Sequence, residues 1–320
     1  MAVYTHVDDE DLISFLNGYE IGDLLSFKGI AEGVENSNYL LHTSAGYFIL
    51  TLYEKRVNAN DLPFFIGLME HLYKNGISCP EPVRNKSGEA LGTLSGRPAA
   101  IVTFLDGLSI SHSLPHHCKM LGEGVAKMHL AARGFGLSRK NSLTMKDWRP
   151  LYELSVGEVD TIEPGLGKLI EGELEFLENN WPTSLPTGII HADLFPDNVF
   201  FLKGKLSGFI DFYFSCNDIL AYDAAICINA WCFDDDGQYN QRKAENFLLG
   251  YQNIRKFSDE EKQAFPILLR GSAIRFLLTR VYDCLNVPKS AVVVPKDPIE
   301  YISRVKFHQT ITNFHAYGAY

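Results

Sequence analysis

The sequence predicts an α+β fold in which a small, β-rich N-terminal lobe precedes a larger, mainly helical lobe. Residues 24–53 contain short runs of β-branched and aromatic residues broken by Gly and Asn, as expected of an antiparallel sheet. Beyond residue 114, apolar residues recur mostly at helical spacing. The Asp106-Gly107 dipeptide separates the two patterns. We therefore expect lobes at 1–105 and 106–320.

In the first lobe, an N-terminal helix with one apolar face is expected to lead into three strands, a helix and two further strands. Acidic residues after Asp8 favour the first turn of that N-terminal helix. Asn75-Gly76 marks the end of the second helix. The expected ranges are a helix around 12–16, strands at 24–27, 38–43 and 47–53, a helix at 62–74, and strands at 90–94 and 97–105.

The second lobe is predicted to consist of helices with a few short strands among them. Helices are expected at 114–132, 165–180, 223–233, 242–251 and 259–286, and strands at 188–191, 199–202 and 206–211. Because Pro266 lies inside the last helical pattern, we expect that helix to be broken or kinked there.

Composition excludes several classes of partner. The 29 basic and 39 acidic residues give a net charge of -10, which argues against a nucleic-acid-binding protein. The acidic N-terminus does not resemble a signal peptide, and no apolar run is long enough to span a bilayer, so we expect a cytoplasmic protein without membrane partners. The six cysteines have no regular spacing, which predicts free thiols rather than a zinc site or disulfides. Monomer and homodimer both remain open.

The strongest motif is His191-x-Asp193-x-x-x-x-Asn198, followed by Asp211 at the end of a predicted strand. Transfer of a phosphoryl group from ATP to an alcohol needs a carboxylate that accepts the hydroxyl proton. It also needs oxygen ligands for the Mg²⁺ ions that neutralise the phosphates. Asp193 fits the base, and Asn198 and Asp211 fit the metal ligands.

A predicted hairpin connects the two parts of this motif. The strands at 199–202 and 206–210 meet at Lys203-Gly204-Lys205, so the second strand should return Asp211 to the side of Asn198. The alternative is that Asp193 and Asn198 occupy ordinary turns, with Pro196 supplying the bend.

These residues resemble the motif of the protein-kinase-like metabolite phosphotransferases, a group that contains aminoglycoside, choline and homoserine kinases. The resemblance implies a protein-kinase-like two-lobed fold with a nucleotide-binding first lobe and a catalytic, substrate-binding second lobe. It implies that Asp193 is the catalytic base and that Asn198 and Asp211 bind Mg²⁺ and ATP. His191 is expected to be structural, with hydrogen bonds inside the loop.

The ATP contacts of the first lobe are expected at two places. The loop at 29–38 should cover the phosphates, with Gly33, Asn36 and Ser37 as donors, although a simple hairpin turn remains an alternative. The adenine should lie against the strand at 102–105, where the resemblance implies contacts to Thr103 and Leu105.

One feature departs from the general kinase pattern. Thr51 stands where the third strand should carry a phosphate-binding Lys, and Glu70 is the only carboxylate of the following helix. Either Lys55 or Arg56 replaces the missing charge, or metal and backbone groups alone hold the phosphates.

Several further segments look like homoserine kinases of the kinase-like type, a subgroup that also carries Thr in this strand. They are residues 47–56, 222–233, 275–283 and Lys296-Asp297-Pro298. Ala230 departs from the subgroup, in which an acid is expected. The resemblance implies ATP-dependent phosphorylation of L-homoserine to O-phospho-L-homoserine, a step of threonine biosynthesis.

Homoserine is a zwitterion, so its site needs a cation for the carboxylate and an acceptor for the ammonium group. Arg275 and Arg280 are candidate carboxylate partners, while surface arginines with buried stems are the alternative. Asn229 and Trp231 are candidate pocket residues, and Asp223 is expected to brace the catalytic loop. A kinase of another small hydroxylated metabolite, such as a choline-like or aminoglycoside-like one, and a pseudokinase binding module remain alternatives.

Overall fold

A computed structural model describes residues 5–30, 36–54, 58–286 and 295–318. The chain forms two compact units. The first runs to Asp106 and also includes Phe135–Leu137, and the second comprises Gly107–Gly134 and the chain from Ser138 onward. The first unit has an antiparallel sheet and the second is mainly helical, which confirms the predicted α+β class.

A five-stranded antiparallel sheet forms the centre of the first unit. Its order is β1-β2-β3-β5-β4, so β1 pairs with β2 and β2 with β3, while β5 lies between β3 and β4. The strands are β1 (Leu24–Gly29), β2 (Ser37–Thr43), β3 (Gly46–Leu52), β4 (Gly92–Leu94) and β5 (Arg97–Thr103). In β2 every second side chain is buried, which is the period of a half-buried strand.

Two helices belong to this unit: α1 (Asp9–Leu16) and α2 (Leu62–Lys74). Leu12 and Leu16 of α1 are buried in one apolar cluster with inward-facing residues of the sheet. Phe135 contacts Phe64 and His71 of α2. Residues 135–137 were predicted to belong to the second lobe. They belong to the first unit because of these aromatic contacts.

Helices and two short strand pairs make up the described part of the second unit. The helices are α3 (Pro115–Ala131), α4 (Met145–Glu153), α5 (Leu166–Asn180), α6 (Leu220–Trp231), α7 (Gln241–Ile254), α8 (Asp259–Leu285) and α9 (Ile299–Gln309). The strands are β6 (Thr187–Ile190), β7 (Val199–Leu202), β8 (Lys205–Phe209) and β9 (Cys216–Ile219), paired as β6-β9 and β7-β8.

Three elements, α4, β9 and α9, were not predicted from the sequence. In α4, two buried aromatic residues, Trp148 and Tyr152, lie among polar ones, so the apolar face is too sparse to predict a helix. The capping residues Thr144 and Asp147 were the available signal, since the Asp147 carboxylate accepts from the Thr144 backbone N–H at 2.9 Å.

The long helix α8 is continuous through Pro266, so the predicted break is absent. Its start is fixed by a capping box in which Ser258 and Glu261 bond each other's backbone N–H groups. Among the residues that the structure describes, no helix is long and apolar enough to cross a membrane. All six cysteines are free thiols, and only Cys284 is exposed.

Candidate active site

The β7-β8 hairpin places the ends of the predicted motif side by side. Lys203 and Gly204 have φ values of 51° and 75°, the left-handed pair that a tight two-residue hairpin requires. The backbone N–H of Ile210 donates to the carbonyl of Asn198 at 3.0 Å. Asp211 therefore follows directly after a residue bonded to Asn198, which confirms the predicted proximity.

Asp193 and Asn198 are joined by two hydrogen bonds. The Asn198 amide nitrogen donates to the Asp193 backbone carbonyl at 2.8 Å and to its Oδ2 at 3.2 Å. Since the nitrogen makes both bonds, the amide oxygen of Asn198 is the atom that remains for a metal ion. Asp211 is exposed and adopts the left-handed region at φ 63°, a conformation that is uncommon for a non-glycine residue.

This pair of oxygen donors suits Mg²⁺ bound with a nucleotide. Mg²⁺ usually keeps waters and phosphate oxygens and takes only one or two protein ligands, rather than a cage of side chains. No cluster of three or more His, Cys, Asp or Glu side chains suited to a metal occurs in the described part of the chain. Two oxygen donors of this kind fit a magnesium–nucleotide complex, in which phosphates and waters supply the remaining ligands.

The carboxyl group of Asp193 has an unusual electrostatic environment. Burial raises its pKa to about 8, the Arg275 guanidinium opposes this rise, and Asp211 adds to it. A divalent cation held by Asp211 and Asn198 would favour the ionised carboxylate, because a nearby positive charge lowers the pKa of an acid.

Asp223 of α6 holds the backbone at the start of the catalytic loop. Its Oδ2 accepts from the His191 N–H at 3.0 Å and its Oδ1 from the Ala192 N–H at 2.9 Å. His129 Nε2 lies 2.9 Å from Oδ2. Burial alone would raise the pKa of Asp223, but the hydrogen bonds lower it, so the carboxylate stays ionised. The predicted bracing role is confirmed by these contacts.

Two residues that the sequence analysis assigned to the substrate also hold this loop. Arg275, 2% exposed, donates from Nη1 to the Ala192 carbonyl at 2.6 Å. Trp231, 1% exposed, donates from Nε1 to the Leu194 carbonyl at 2.7 Å. Both thus donate to backbone carbonyls next to Asp193 and support the loop, while their role as substrate contacts stays a prediction.

The other two predicted substrate contacts, Asn229 and Arg280, are also used inside the protein. The Asn229 amide donates to the Leu269 carbonyl at 3.0 Å, and its Oδ1 lies 2.9 Å from His308 Nε2. Arg280 Nη1 contacts the Asp297 carbonyl at 2.7 Å and Glu300 at 2.8 Å. Both side chains thus make internal hydrogen bonds, and their role as substrate contacts stays a prediction.

His191 is structural, as expected. Its Nε2 lies 3.0 Å from the Ile210 carbonyl, and its ring centroid is 4.7 Å from that of Phe212. Burial lowers its pKa to about 4, so the imidazole is neutral near pH 7 and donates to that carbonyl.

Two of the predicted phosphate contacts of the first unit make hydrogen bonds to Glu54. The Ser37 hydroxyl donates to Glu54 Oε1 at 2.8 Å, and Asn36 Oδ1 accepts from the Glu54 N–H at 3.3 Å. Both side chains are buried in this network and do not form an exposed set of donors. Gly33 lies outside the described residues, and so do Lys55 and Arg56.

Thr51, at the strand position that lacks a lysine, makes a hydrogen bond to the neighbouring strand. Thr51 Oγ1 donates to Asn38 Oδ1 of β2 at 2.8 Å. Glu70 of α2 pairs with Arg84 at 2.7 Å. Neither residue has the partner that the general kinase ion pair would require, as the sequence suggested.

The strand that carries the predicted adenine contacts was expected at 97–105 and ends two residues earlier. Thr103 is the last residue of β5, and its N–H and hydroxyl bond the carbonyl and N–H of Glu81, both at 2.9 Å. Leu105, two residues further on, is half-buried. The Thr103 side chain is thus occupied, so a contact to adenine in this segment would rest on backbone groups.

A cavity of about 390 Å³ lies beside the catalytic loop and contains a residue absent from the predicted site, Lys296. Its lining consists of residues 109–111, residues 195–197 and Lys296. Lys296 Nζ donates to Asp197 Oδ2 at 3.0 Å and lies 4.9 Å from the centre of the Phe195 ring. The available sequence signal was a likeness at Lys296-Asp297-Pro298, which did not indicate that this segment contacts the catalytic loop.

Comparison with known proteins defines the class. Residues 26–257 match the sequence profile of the Phosphotransferase enzyme family, and the chain belongs to that family. Its fold resembles those of an amicoumacin kinase solved with AMP-PNP and Ca²⁺ and a spectinomycin phosphotransferase solved with ADP. Their TM-scores are 0.70 and 0.69, at 15% and 14% identity, over 97% and 98% of each chain.

Within this family, the chain is similar to homoserine kinases over nearly its whole length. It is 58% identical to the homoserine kinase of Brucella anthropi over 318 residues, 99% of this chain and 98% of that one. The homoserine kinase of Brucella canis matches with the same identity and the same coverage.

Replacing Trp231 by Phe should weaken the support of the catalytic loop. The change leaves the Leu194 carbonyl without its buried donor, which costs about 1–3 kcal/mol of unfolding free energy. We expect kcat to fall as well. Trp148→Phe is a matched control, because Trp148 Nε1 bonds the Leu143 carbonyl away from this loop. Urea unfolding and steady-state kinetics test both variants, and equal kcat values would contradict the positioning role.

Proposed function

We propose that this protein transfers the γ-phosphoryl group of ATP to the hydroxyl of L-homoserine, giving O-phospho-L-homoserine for threonine biosynthesis. The observation that carries the proposal is the 58% identity to homoserine kinases over nearly the whole chain. The geometry of Asp193, Asn198 and Asp211 supports the reaction type independently, since it combines a candidate base with two candidate metal ligands.

In this proposal Asp193 accepts the proton of the homoserine hydroxyl. The hydroxyl oxygen then forms the new bond to the γ-phosphorus, the bond to the β,γ-bridging oxygen breaks, and ADP leaves. The Asn198 amide oxygen and the Asp211 carboxylate would hold Mg²⁺, which when bound neutralises phosphate charge. Asp223, Arg275 and Trp231 keep the backbone around Asp193 in place.

The proposed nucleotide contacts in the first unit lie at two places. Backbone groups near Thr103 and Leu105 are proposed to contact the adenine. Because the side chains of Asn36 and Ser37 bond Glu54, backbone groups of this loop are the proposed phosphate contacts. Thr51, which bonds Asn38, stands where other kinases carry a phosphate-binding lysine. Neutralisation of the phosphate charge would therefore depend more strongly on the metal ion.

A substrate panel tests the acceptor. With ATP and Mg²⁺, we expect ADP release on addition of L-homoserine and little above background with choline, ethanolamine or spectinomycin. Coupled ADP detection gives kcat/KM for each compound, and EDTA should abolish the reaction until excess Mg²⁺ is added. Release with choline alone, or with an aminoglycoside alone, would overturn the proposed acceptor while leaving the reaction type in place.

A further inference from the structure

The cavity beside the catalytic loop contains opposite charges held close together. Lys296 Nζ and Asp197 Oδ2 are 3.0 Å apart, with side chains 58% and 61% exposed. Exposed ion pairs of this kind contribute only about 0–1 kcal/mol to stability. The pair is therefore a weak structural element whose charges remain accessible to a ligand.

Both members of the pair lie close enough to Asp193 to affect its carboxyl group. Asp197 belongs to the 3₁₀ turn Pro196–Asn198, so it is adjacent to a proposed metal ligand and four residues beyond the proposed base. Lys296 and Asp197 both act electrostatically on the Asp193 carboxyl group, with opposite effects on its pKa. A ligand that contacts the pair would therefore lie close to Asp193.

Lys296 is also anchored from the interior. The buried Arg280 donates to the carbonyl of Asp297, the next residue, and to Glu300 at the start of α9. Its guanidinium lies 4.5 Å from the centre of the Tyr301 ring. Arg280 thus fixes the segment that carries Lys296, which explains a costly buried arginine without placing it on the substrate.

The charges of an α-amino acid match this pair. Its ammonium nitrogen and carboxylate carbon are about 2.5 Å apart, as standard bond lengths require. An ammonium placed against Asp197 would therefore bring the carboxylate within reach of Lys296, in a charge-assisted arrangement. Phe195 and the apolar part of the cavity wall would contact the methylene groups between the charges and the hydroxyl.

We infer that Lys296 and Asp197 form a zwitterion clamp that selects acceptors bearing both an α-carboxylate and an α-ammonium group. The inference rests on the proposed transfer at Asp193 and adds the residues that choose the acceptor. Lys296 binds the carboxylate, Asp197 binds the ammonium group, and the side-chain hydroxyl extends to Asp193.

Truncated acceptors test each contact separately. 3-Amino-1-propanol lacks the carboxylate of homoserine, and 4-hydroxybutyrate lacks its ammonium group. Lys296→Met should raise KM for L-homoserine by about tenfold or more, since a lost charged contact costs at least about 1.5 kcal/mol. It should change kcat/KM for 3-amino-1-propanol by less than about twofold, because that acceptor offers no carboxylate. Asp197→Asn should lower kcat/KM for L-homoserine and 3-amino-1-propanol, but not for 4-hydroxybutyrate.

Lys262→Met is the matched control, because Lys262 forms an exposed pair with Asp259 at 3.2 Å on α8. This variant should leave kcat/KM for all three acceptors unchanged. If Lys296→Met lowers activity equally with L-homoserine and 3-amino-1-propanol, Lys296 supports the loop and the clamp is wrong. If Lys296→Met has no effect with L-homoserine, the pair is an ordinary surface ion pair and the clamp is again wrong.

Binding measurements separate this inference from the proposed function. Calorimetric titration of L-homoserine into the protein with AMP-PNP and Mg²⁺ should show binding that Lys296→Met weakens by about tenfold or more. Binding through Lys296 without ADP release would overturn the proposed function and support the clamp. ADP release from L-homoserine with unchanged binding in Lys296→Met would support the function and overturn the clamp.

Discussion

Asp193→Asn is expected to lower kcat with L-homoserine by about 10²–10⁴-fold, because an amide cannot accept the hydroxyl proton. The variant should still fold, since Asn has the same shape and its Oδ1 can accept the bond from the Asn198 amide nitrogen. ATP binding should persist, as the proposed metal ligands are unchanged. Coupled ADP detection and calorimetric titration with AMP-PNP measure the two effects.

The control for this variant is Asp236→Asn, an exposed carboxylate that accepts the backbone N–H of Gln238 at 3.0 Å. It removes the same charge without touching the catalytic loop, so its kcat should match the unmodified protein. An unchanged kcat in Asp193→Asn would remove Asp193 as the base. Equal ATP binding without ADP release, in both the unmodified protein and the variant, would instead favour the pseudokinase alternative.

The catalytic motif was predictable because its geometry is encoded locally. The turn residues Lys203 and Gly204 determine the length of the hairpin, and this length brings Asp211 back to Asn198. The order of strands and helices was likewise predictable, since polar and apolar residues repeat with a period that differs between the two units.

The roles of Arg275 and Trp231 were not predictable in the same way. A polar residue on an apolar helix signals a buried hydrogen bond, but the pattern does not tell whether the partner is a ligand or the protein backbone. Here the partners are carbonyls of residues 192 and 194, which approach α6 and α8 only in the folded chain.

Lys296, in contrast, was not predicted to belong to the site at all. It follows a stretch without strong periodicity, and its contact with Asp197 spans 99 residues of sequence. Likeness to a family marked the segment without giving it a function. The three-dimensional arrangement supplies the missing element, because it brings one exposed cation and one exposed anion to the cavity next to Asp193.

Asp223→Asn is expected to reduce the free energy of unfolding by about 3–5 kcal/mol, a large share of the total for a protein domain. The buried carboxylate accepts from two backbone N–H groups and contacts His129. An amide has one acceptor oxygen, so at least one buried donor would lose its partner and the NH₂ group would face another donor. Urea unfolding followed by circular dichroism measures the loss.

This loss should be accompanied by a fall in kcat in the fraction that remains folded. Ala192 has φ 66°, and the bond from its N–H to Asp223 helps to keep this unfavourable conformation one residue before Asp193. Asp160→Asn is the matched control, since Asp160 is exposed and accepts one backbone N–H, that of Gly167 at 2.8 Å. It should cost about 1 kcal/mol or less and leave kcat unchanged. Equal stability losses in the two variants would show that the loop is held by other contacts, with Asp223 contributing no more than an exposed cap.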